Sequence, residues 1–296
     1  MIPKSLGSMV VHKLSETEAW IPTSWFPDWK GADSYSFHRR LPGEDTSGEH
    51  EDHFPLSLHS FLVQMDGRNT LIDPCCGNHK VRPNVPFANM LDTDFLAQLA
   101  SLGVGVEDVH AVYCTHMHFD HVGWNTILRD GKWVPTFPNA RYYFNRSEIE
   151  GFAASGMKNP VMRDAFADSV VPIMEAGQAE LVDALAAGAQ VSSGVCFEHA
   201  PGHTIGNCMV HARGGGGHAL FSGDVIHHPL QIAEPLIPMR GQNVEYDLPQ
   251  SVATRLSVVR GYADTDTIFF PGHFPDPTAG HIISEAGKYR YRFTDG

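Results

Sequence analysis

Four metal-ligand side chains follow one apolar segment, and this cluster constrains the fold of the chain more than any other feature. Residues 109–114 are apolar and predict a short buried strand. The residues that follow it include His116, His118, Asp120 and His121. In an extended segment, His116 and His118 lie on one side because side-chain direction repeats every two residues. A helix that begins near Asp120 would turn Asp120 and His121 toward the same space. Burying this much polarity without a metal costs several kcal/mol, so the pattern indicates a metal site.

Three further predicted strand ends each carry one ligand-type residue beside a glycine, which lets backbone approach closely. They are His203 after Gly202, Asp224 after Gly223 and His273 after Gly272. Imidazole and carboxylate groups together suit Zn, Mn or Fe. Taken in order with the first cluster, these residues indicate two adjacent ligand sets.

Strand and helix patterns alternate along the chain and predict an α/β (α+β) fold in a single domain, 1–296. Strands are predicted at 57–65, 70–72, 142–144, 196–199, 207–212, 219–222 and 267–270, with a hairpin turn at 214–217. Helices are predicted at 92–102, 146–156, 160–176 with a kink or end at Pro172, 250–262 and 280–289. Residues 1–55 are rich in turn formers and predict an irregular N-terminal arm. Its aromatic residues Trp20, Trp25, Phe26 and Trp29 either pack on the body or cover a pocket.

Charge and composition exclude several classes of protein. The net charge of −13 argues against nucleic-acid binding, which needs clustered Lys and Arg. There is no apolar run of about 18 residues, which a membrane helix needs, and the first residues lack an apolar signal core. The five cysteines have no repeating spacing and are interpreted as reduced thiols, so we expect a cytoplasmic protein.

The motif order resembles that of the metallo-β-lactamase-fold hydrolases over roughly residues 57–285. The resemblance implies a four-layer αββα sandwich with the site at one edge between the sheets. It implies two ions, zinc first, with Mn, Fe or Co as alternatives. One ion would be held by His116, His118 and His203, the other by Asp120, His121 and His273, and Asp224 would bridge them. In the family, an Asp at the position of Asp73 supports a ligand histidine, although an Asp before Pro also initiates turns.

A dinuclear site of this kind predicts hydrolysis by a hydroxide shared between the metals. Asp120 would take the proton of the nucleophile and deliver it to the leaving group. His227 would donate a hydrogen bond to the developing oxyanion, unless it is a loop histidine in water. The sequence looks most similar to N-acyl-homoserine lactonases and methyl parathion hydrolase. Lactonases commonly carry a Tyr three residues after the bridging Asp, whereas His227 matches the organophosphate and aryl-ester branch.

The expected substrate is a small neutral lactone or other ester. The alternative is an organophosphate or aryl ester, followed by a β-lactamase, a persulfide dioxygenase or a non-catalytic metal-binding protein. The loop 225–247 is predicted to form a pocket wall, with Arg240 as its sole Lys or Arg. Its apolar residues include Leu230, Ile232, Leu236, Ile237, Pro238 and Met239. No nucleic-acid or membrane partner is expected, and a homodimer is left open.

Overall fold

The computed structural model describes residues 3–27, 52–155, 158–185, 189–241 and 245–294, so Trp29 lies outside the described residues. Two seven-stranded sheets and a small hairpin carry the strands. The first sheet has the order β1-β2-β3-β4-β5-β8-β9, with β1 Lys4–Leu6, β2 Met9–Pro22, β3 His53–Met65, β4 Arg68–Ile72, β5 Val109–Tyr113, β8 Arg141–Asn145 and β9 Ala179–Val182. The second runs from β10 to β16 in sequence order, with β10 Ala189–Ser192, β11 Val195–His199, β12 Cys208–Gly214, β13 Gly217–Phe221, β14 Ile268–Phe270, β15 Gly280–Glu285 and β16 Lys288–Phe293. The hairpin pairs β6 Thr126–Arg129 with β7 Lys132–Pro135.

The helices cover the outer faces of the sheets, which confirms the predicted four-layer αββα sandwich. They are α1 Phe95–Ser101, α2 Phe119–Val122, α3 Arg146–Ser155, α4 Pro160–Ser169, α5 Val171–Glu175, α6 Leu230–Ala233 and α7 Leu248–Tyr262. Between the sheets, the ring of Phe61 packs against Phe221 and Phe270. Beyond the first sheet, Leu99 of α1 joins a second buried cluster. Val259 of α7 belongs to a third, on the outside of the second sheet.

The predicted helix at 280–289 is wrong, because this segment forms the hairpin of β15 and β16. Burial alternates along the start of β15, as expected for a strand with one covered face. The turn residues Ala286 and Gly287 both have positive φ, which ends the first strand and returns the chain. Within β16, Tyr291 is buried, and its single hydroxyl hydrogen is shared between Phe269 O and Thr278 O, so tertiary contacts fix it as a strand residue.

The N-terminal arm is not irregular over the residues that the structure describes up to Pro22, because most of them belong to β1 and to the 14-residue strand β2. A register shift between Ser15 and Thr17 interrupts the alternation that would reveal this strand in the sequence. At the shift, the Glu16 carboxylate turns inward and accepts hydrogen bonds from Cys76 N, Gly77 N and Trp124 Nε1. This polar tie explains why an acidic residue occurs in the middle of a half-buried strand.

Parallel pairing brings several strand ends to one edge of the molecule. β4 and β8 both run parallel to β5 in the first sheet, and β13 runs parallel to β14 in the second. The carboxyl ends of parallel strands meet at the same edge, where open α/β sheets bind their ligands. Within the described residues, no helix is both long enough and apolar enough to span a membrane.

Candidate metal centre

The segment after β5 forms the first half of the site. Thr115–His118 is not helical, α2 begins at Phe119, and His118 occupies its N-cap position. The rings of His116 and His118 lie 4.6 Å apart, whereas Met117 between them is fully buried in the core cluster of the first sheet. This confirms the predicted alternation of side-chain direction and the helix start near Asp120.

The loop 73–77 packs directly against the end of this segment. Gly123 N donates to Cys75 O at 2.6 Å, and Trp124 N donates to Pro74 O at 2.7 Å. A Cβ on Gly123 would lie 1.8 Å from Cys76 O, so a larger residue would force the two segments apart.

Two groups of ligand-type atoms face each other at the edge between the sheets. In each group, the ligand atoms lie within 4.8 Å of one another. The first group is His116, His118, His203 and Asp224, and the second is Asp120, His121 and His273. His203 lies in the loop between β11 and β12, Asp224 in the turn after β13 and His273 in the loop after β14.

Asp224 lies between the two groups. Its Oδ2 is 3.1 Å from His203 Nε2 and 3.7 Å from His116 Nε2. Its Oδ1 is 3.2 Å from His121 Nε2 and 3.1 Å from His273 Nε2. Oδ2 also lies 3.3 Å from His273 Nε2, so this one carboxylate contacts histidines of both ligand groups.

The geometry of these atoms fits bound divalent cations. Metal–ligand bonds of about 2.0–2.1 Å in a tetrahedron separate neighbouring ligand atoms by about 3.3 Å. The observed separations lie near this value, at 2.9 Å between His118 Nδ1 and His203 Nε2 and 3.3 Å between His121 Nε2 and His273 Nε2. His116 Nε2 is buried without a hydrogen-bond partner among the described residues. An inward-facing set of imidazole nitrogens and carboxylate oxygens at these separations is suited to a divalent metal.

The outward-facing nitrogens of the ligand histidines contact other parts of the chain. His121 Nδ1 lies 3.0 Å from Asp73 Oδ2, and His273 Nδ1 donates to Ser57 O at 3.3 Å. The Thr115 hydroxyl donates to Asp73 Oδ2, so it can accept a hydrogen bond from His116 Nδ1 at 3.0 Å. Asp73 therefore contacts His121 directly and His116 through Thr115, which is one histidine of each group. Contacts of this type orient metal ligands.

The electrostatics of the site favour positive charge between the carboxylates. Burial would lower the pKa of His203, but Asp224 and Glu245 raise it to about 10. Burial likewise opposes charge on His121, yet Asp224 and Asp73 hold its pKa well above the usual range. Burial would raise the pKa of Asp224, whereas the imidazoles of His121 and His273 hold it well below the ordinary value. Burial and neighbouring imidazoles instead hold the pKa of His116 and His118 well below the ordinary value, so these two rings are neutral, as metal ligands must be. Carboxylates beside neutral imidazoles form a site in which a cation is stabilised.

His227 lies among these groups instead of in an exposed loop. Its Nε2 is 3.2 Å from Asp224 Oδ2, and its ring is parallel to that of His273 with 5.7 Å between centroids. The side chain is 2% exposed, but it also lines the adjoining pocket.

The sequence does not predict that two glutamates, Glu148 and Glu245, lie near the candidate metal centre. Glu148 of α3 is buried and accepts hydrogen bonds from Met117 N and Gly206 N, which ties the two histidine loops together. Glu245 lies beside His203 and His227 and completes a third group of potential ligand atoms with them. Neither residue belongs to a recognisable motif, because each reaches the site only through the packing of a helix or loop.

A pocket of about 280 Å³ opens onto the metal centre. Asp120, His118, His227 and His273 form its floor together with Asp224. Its walls are mainly apolar and are contributed by Ile21, Trp25, Leu56, Val85, Phe87, Phe119, Val161, Met162 and Met239, with Asn84, Asn159 and Pro160 at the rim. No Lys or Arg occurs among these described lining residues.

The loop 225–247 contributes less to the pocket than the sequence predicts. Of its apolar residues, Met239 lines the cavity, whereas Leu230, Ile232 and Ile237 are buried in the core. Arg240 is exposed and its backbone N–H donates to Trp25 O. Residues 84–87 and 159–162, which carry no motif, provide much of the wall instead.

Comparison with known proteins gives a family match and several related folds. Residues 53–273 match the model of the metallo-beta-lactamase superfamily. No match was found among curated proteins. The solved structures that resemble the chain include hydrolase AbOPH of the beta lactamase superfamily, with a TM-score of 0.79 at 21% identity over 99% of this chain and 97% of that one. AidC, a dizinc quorum-quenching lactonase, gives a TM-score of 0.74 at 20% identity over 99% and 97% of the two chains. An N-acyl homoserine lactone hydrolase solved with N-hexanoyl-L-homoserine gives 0.60 at 16% identity over 91% and 94%.

A buried ion cluster joins two walls of the pocket. Arg82 lies 2.8 Å from the carboxylate of Asp168 in α4, and Lys80 Nζ lies 3.4 Å from the same carboxylate. Lys80 Nζ also donates to Thr126 Oγ1 at 2.7 Å and lies 3.5 Å from the centre of the Trp133 ring. Since residues 84–87 follow Arg82 and residues 159–162 begin α4, this cluster fixes the two walls relative to each other.

Lys80 gives a testable pH dependence of stability. Burial lowers its pKa to about 7 from an ordinary value of 10.5, against the opposing effect of Asp168. Between these two values the unfolded chain binds the proton more strongly, so stability should rise with pH across this window and fall as the pH drops toward 7. The free energy of unfolding of the wild type, relative to Lys80→Met, should increase by up to about 1.4 kcal/mol per pH unit from pH 7 to 10. Urea unfolding of both proteins in the presence of a chelator measures the difference.

The matched control is Lys132→Met, which removes an exposed lysine from β7 and should show no such slope. A difference between wild type and Lys80→Met that stays constant from pH 7 to 10 would contradict the assignment.

Proposed function

Since the chain belongs to the metallo-beta-lactamase superfamily, we propose that it is a hydrolase that holds two divalent metal ions and opens a neutral lactone or cleaves another neutral ester. The observation that carries this proposal is the position of Asp224, whose carboxylate contacts histidines of both ligand groups. His116, His118 and His203 would hold one ion and Asp120, His121 and His273 the other, with Asp224 shared. Zinc is the first expectation, and Mn, Fe or Co would also suit this ligand set.

When bound, a pair of divalent ions acidifies water and polarises the scissile carbonyl group. The chain itself provides the proton transfers and the orientation of the substrate. Asp120 is the least buried of the ligand carboxylates and lines the pocket, so it can accept a proton and pass it to the leaving oxygen. Its place on the pocket floor, 3.6 Å from His273 Nε2, keeps this carboxylate at the reacting end of the substrate.

His227 is positioned to act on the carbonyl oxygen. Burial lowers its pKa, so the imidazole is neutral near pH 7 and carries one ring N–H. That N–H can donate to negative charge that develops on the substrate oxygen. The pocket beyond it would exclude water and bind the apolar part of the substrate, at roughly 25 cal/mol per Å² of buried apolar surface.

The comparisons favour lactones as the first substrates to examine. AidC is described as a quorum-quenching lactonase, and a second neighbour was solved with an N-acyl homoserine product. A specific observation supports the aryl-ester or organophosphate alternative, since His227 occupies the position at which lactonases commonly carry a Tyr. The aromatic wall residues Trp25 and Phe87 would accept an aryl leaving group equally well.

Replacing Asp224 tests whether one carboxylate serves two ions. In Asp224→Asn, we expect weaker binding of both ions, because the neutral amide removes charge from both ligand groups. Metal content after equilibrium dialysis, measured by elemental analysis, should fall from two ions per chain to less than one. Asp92→Asn, on an exposed carboxylate, provides the matched control. Two ions retained in Asp224→Asn, or a fully active wild type with a single tightly held ion, would contradict the shared role.

Replacing His227 tests its role as a hydrogen-bond donor. His227→Ala should lower kcat by about 10²–10³ while both metals remain bound, which is the usual cost of losing one oxyanion donor. His281→Ala removes a half-buried histidine of β15 and should leave kcat unchanged. The donor role is wrong if kcat is unaffected across several substrates. Loss of an ion together with activity would instead make His227 a metal ligand.

A panel of substrates tests whether the enzyme prefers neutral substrates to substrates that carry a carboxylate. Neutral lactones or aryl esters should exceed penicillin G in kcat/KM by more than about tenfold, because the pocket walls contain no cation to pair with a buried carboxylate. Initial rates with one metal-loaded preparation, including a phosphotriester, give the ranking. Comparable turnover of penicillin G that is abolished by Arg240→Ala would move the assignment to the β-lactamase branch.

A further inference from the structure

Glu245 approaches His203, whose outward nitrogen Nδ1 is buried and, like that of His121, has no hydrogen bond among the described residues. His203 Nδ1 lies 3.6 Å from Glu245 Oε2, and the two side chains are 1% and 4% exposed. Neither oxygen of Glu245 makes a hydrogen bond of good geometry with another described group, and His203, followed by His227 and the Ser251 side chain, lowers its pKa against the effect of burial. The gap exceeds the usual hydrogen-bond limit of about 3.2 Å by only a few tenths of an ångström.

The backbone around Glu245 is fixed against the histidine loop. Tyr246 N donates to His203 O and Asp247 N donates to Gly202 O, both at 2.9 Å. Gly202 has φ +128°, and a Cβ there would lie 2.2 Å from Ser251 N at the start of α7. The segment 245–247 therefore moves with the His203 loop, and the glycine is what permits this close packing.

The contrast with the other ligand histidines indicates what Glu245 does. The Nδ1 atoms of His116, His121 and His273 face Thr115 Oγ1, Asp73 Oδ2 and Ser57 O respectively. Each of these contacts leaves Nε2 directed toward Asp224. His203 has the same inward arrangement, with Nε2 3.1 Å from Asp224 Oδ2. The group that faces its Nδ1 is the Glu245 carboxylate.

We propose that Glu245 is a positioning residue that accepts a hydrogen bond from His203 Nδ1 and so directs His203 Nε2 at one of the two metal ions. This inference rests on the proposed dinuclear function. The charged acceptor fixes the Nδ1–H tautomer and the ring orientation, and it makes Nε2 a stronger ligand. Because His203 belongs to only one of the two groups proposed to hold the two ions, Glu245 should affect one ion more than the other.

Zinc titrations of Glu245→Gln, Glu245→Asp and the wild type test the proposal. Competition between the protein and a chromophoric chelator gives the dissociation constant of each Zn²⁺ without any measurement of activity. Glu245→Gln keeps the shape of the side chain and should weaken one Zn²⁺ by about 10–100-fold, the usual effect of losing such a contact. The other Zn²⁺ should retain its affinity, and Glu245→Asp should recover part of the loss.

Two controls separate positioning from general effects. Glu234→Gln removes an exposed carboxylate that precedes Glu245 in the same loop, and it should leave both affinities unchanged. Asp247→Ala removes the cap of α7, since Asp247 Oδ1 accepts from Gln250 N, without touching His203. If Asp247→Ala weakens zinc as much as Glu245→Gln does, the effect is loosening of the helix and the proposal is overturned.

A measurement on the wild type alone covers the case in which a variant does not fold. In the zinc-loaded protein with ¹⁵N-labelled histidine, NMR should show a proton on His203 Nδ1 that exchanges slowly with water. An unprotonated Nδ1 would overturn the proposal.

The zinc stoichiometry distinguishes the remaining outcomes. Fewer than two Zn²⁺ in the wild type contradicts the proposed function itself. Two Zn²⁺ in the wild type with equal affinity in Glu245→Gln contradicts only the role of Glu245. A third Zn²⁺ that Glu245→Gln loses would make Glu245 a ligand with His203 and His227, whose atoms also lie within 4.8 Å of one another.

Discussion

A carboxylate buried among imidazoles is the constraint on which the rest of the molecule depends. Asp224 is 3% exposed, and imidazole nitrogens from four separate segments lie within 3.7 Å of its oxygens. An isolated buried carboxylate is strongly destabilising, so positive charge must be supplied to it by protonated histidines or by cations. The parallel pairs of both sheets make this convergence feasible, because they bring the ends of β5, β13 and β14 to one edge.

The orientation of each imidazole ring is fixed by contacts with the surrounding protein. A histidine ring can present either nitrogen, and the contact made by one nitrogen decides which proton it carries and where the other points. Asp73 acts on His121 directly and on His116 through Thr115, and Ser57 O acts on His273. These partners come from β3 and from the loops after β4 and β5, so the stability of the first sheet and the geometry of the centre are linked.

The convergence of the histidine cluster can be predicted from the sequence because its residues are close together along the chain. His116 to His121 lie within six residues, and strand periodicity alone places the first two on one side. Residues such as Glu148 and Glu245 are beyond such reasoning, since α3 and the loop before α7 bring them in from a distance. The β15–β16 hairpin was predicted as a helix because 280–289 contains Ala, Glu and Lys among its apolar residues. The contacts of Tyr291 across the sheet decide otherwise.

The walls of the pocket come from different parts of the chain from the histidines and carboxylates of its floor. Its floor consists of residues fixed by strand ends, whereas Trp25, Phe87 and Met162 come from three loop or helix segments that do not adjoin in sequence. The Lys80–Arg82–Asp168 cluster joins two of those segments, and the Arg240 N–H to Trp25 O bond joins the third to the loop after α6. Changes in the walls can therefore alter the shape of the pocket while the histidines keep their positions. Because burial of an apolar group depends on shape and area instead of on charge, apolar walls of this kind would select a bound group mainly by fit. The buried carboxylate organises the histidines, whereas the pocket walls are joined by a separate set of contacts elsewhere in the chain.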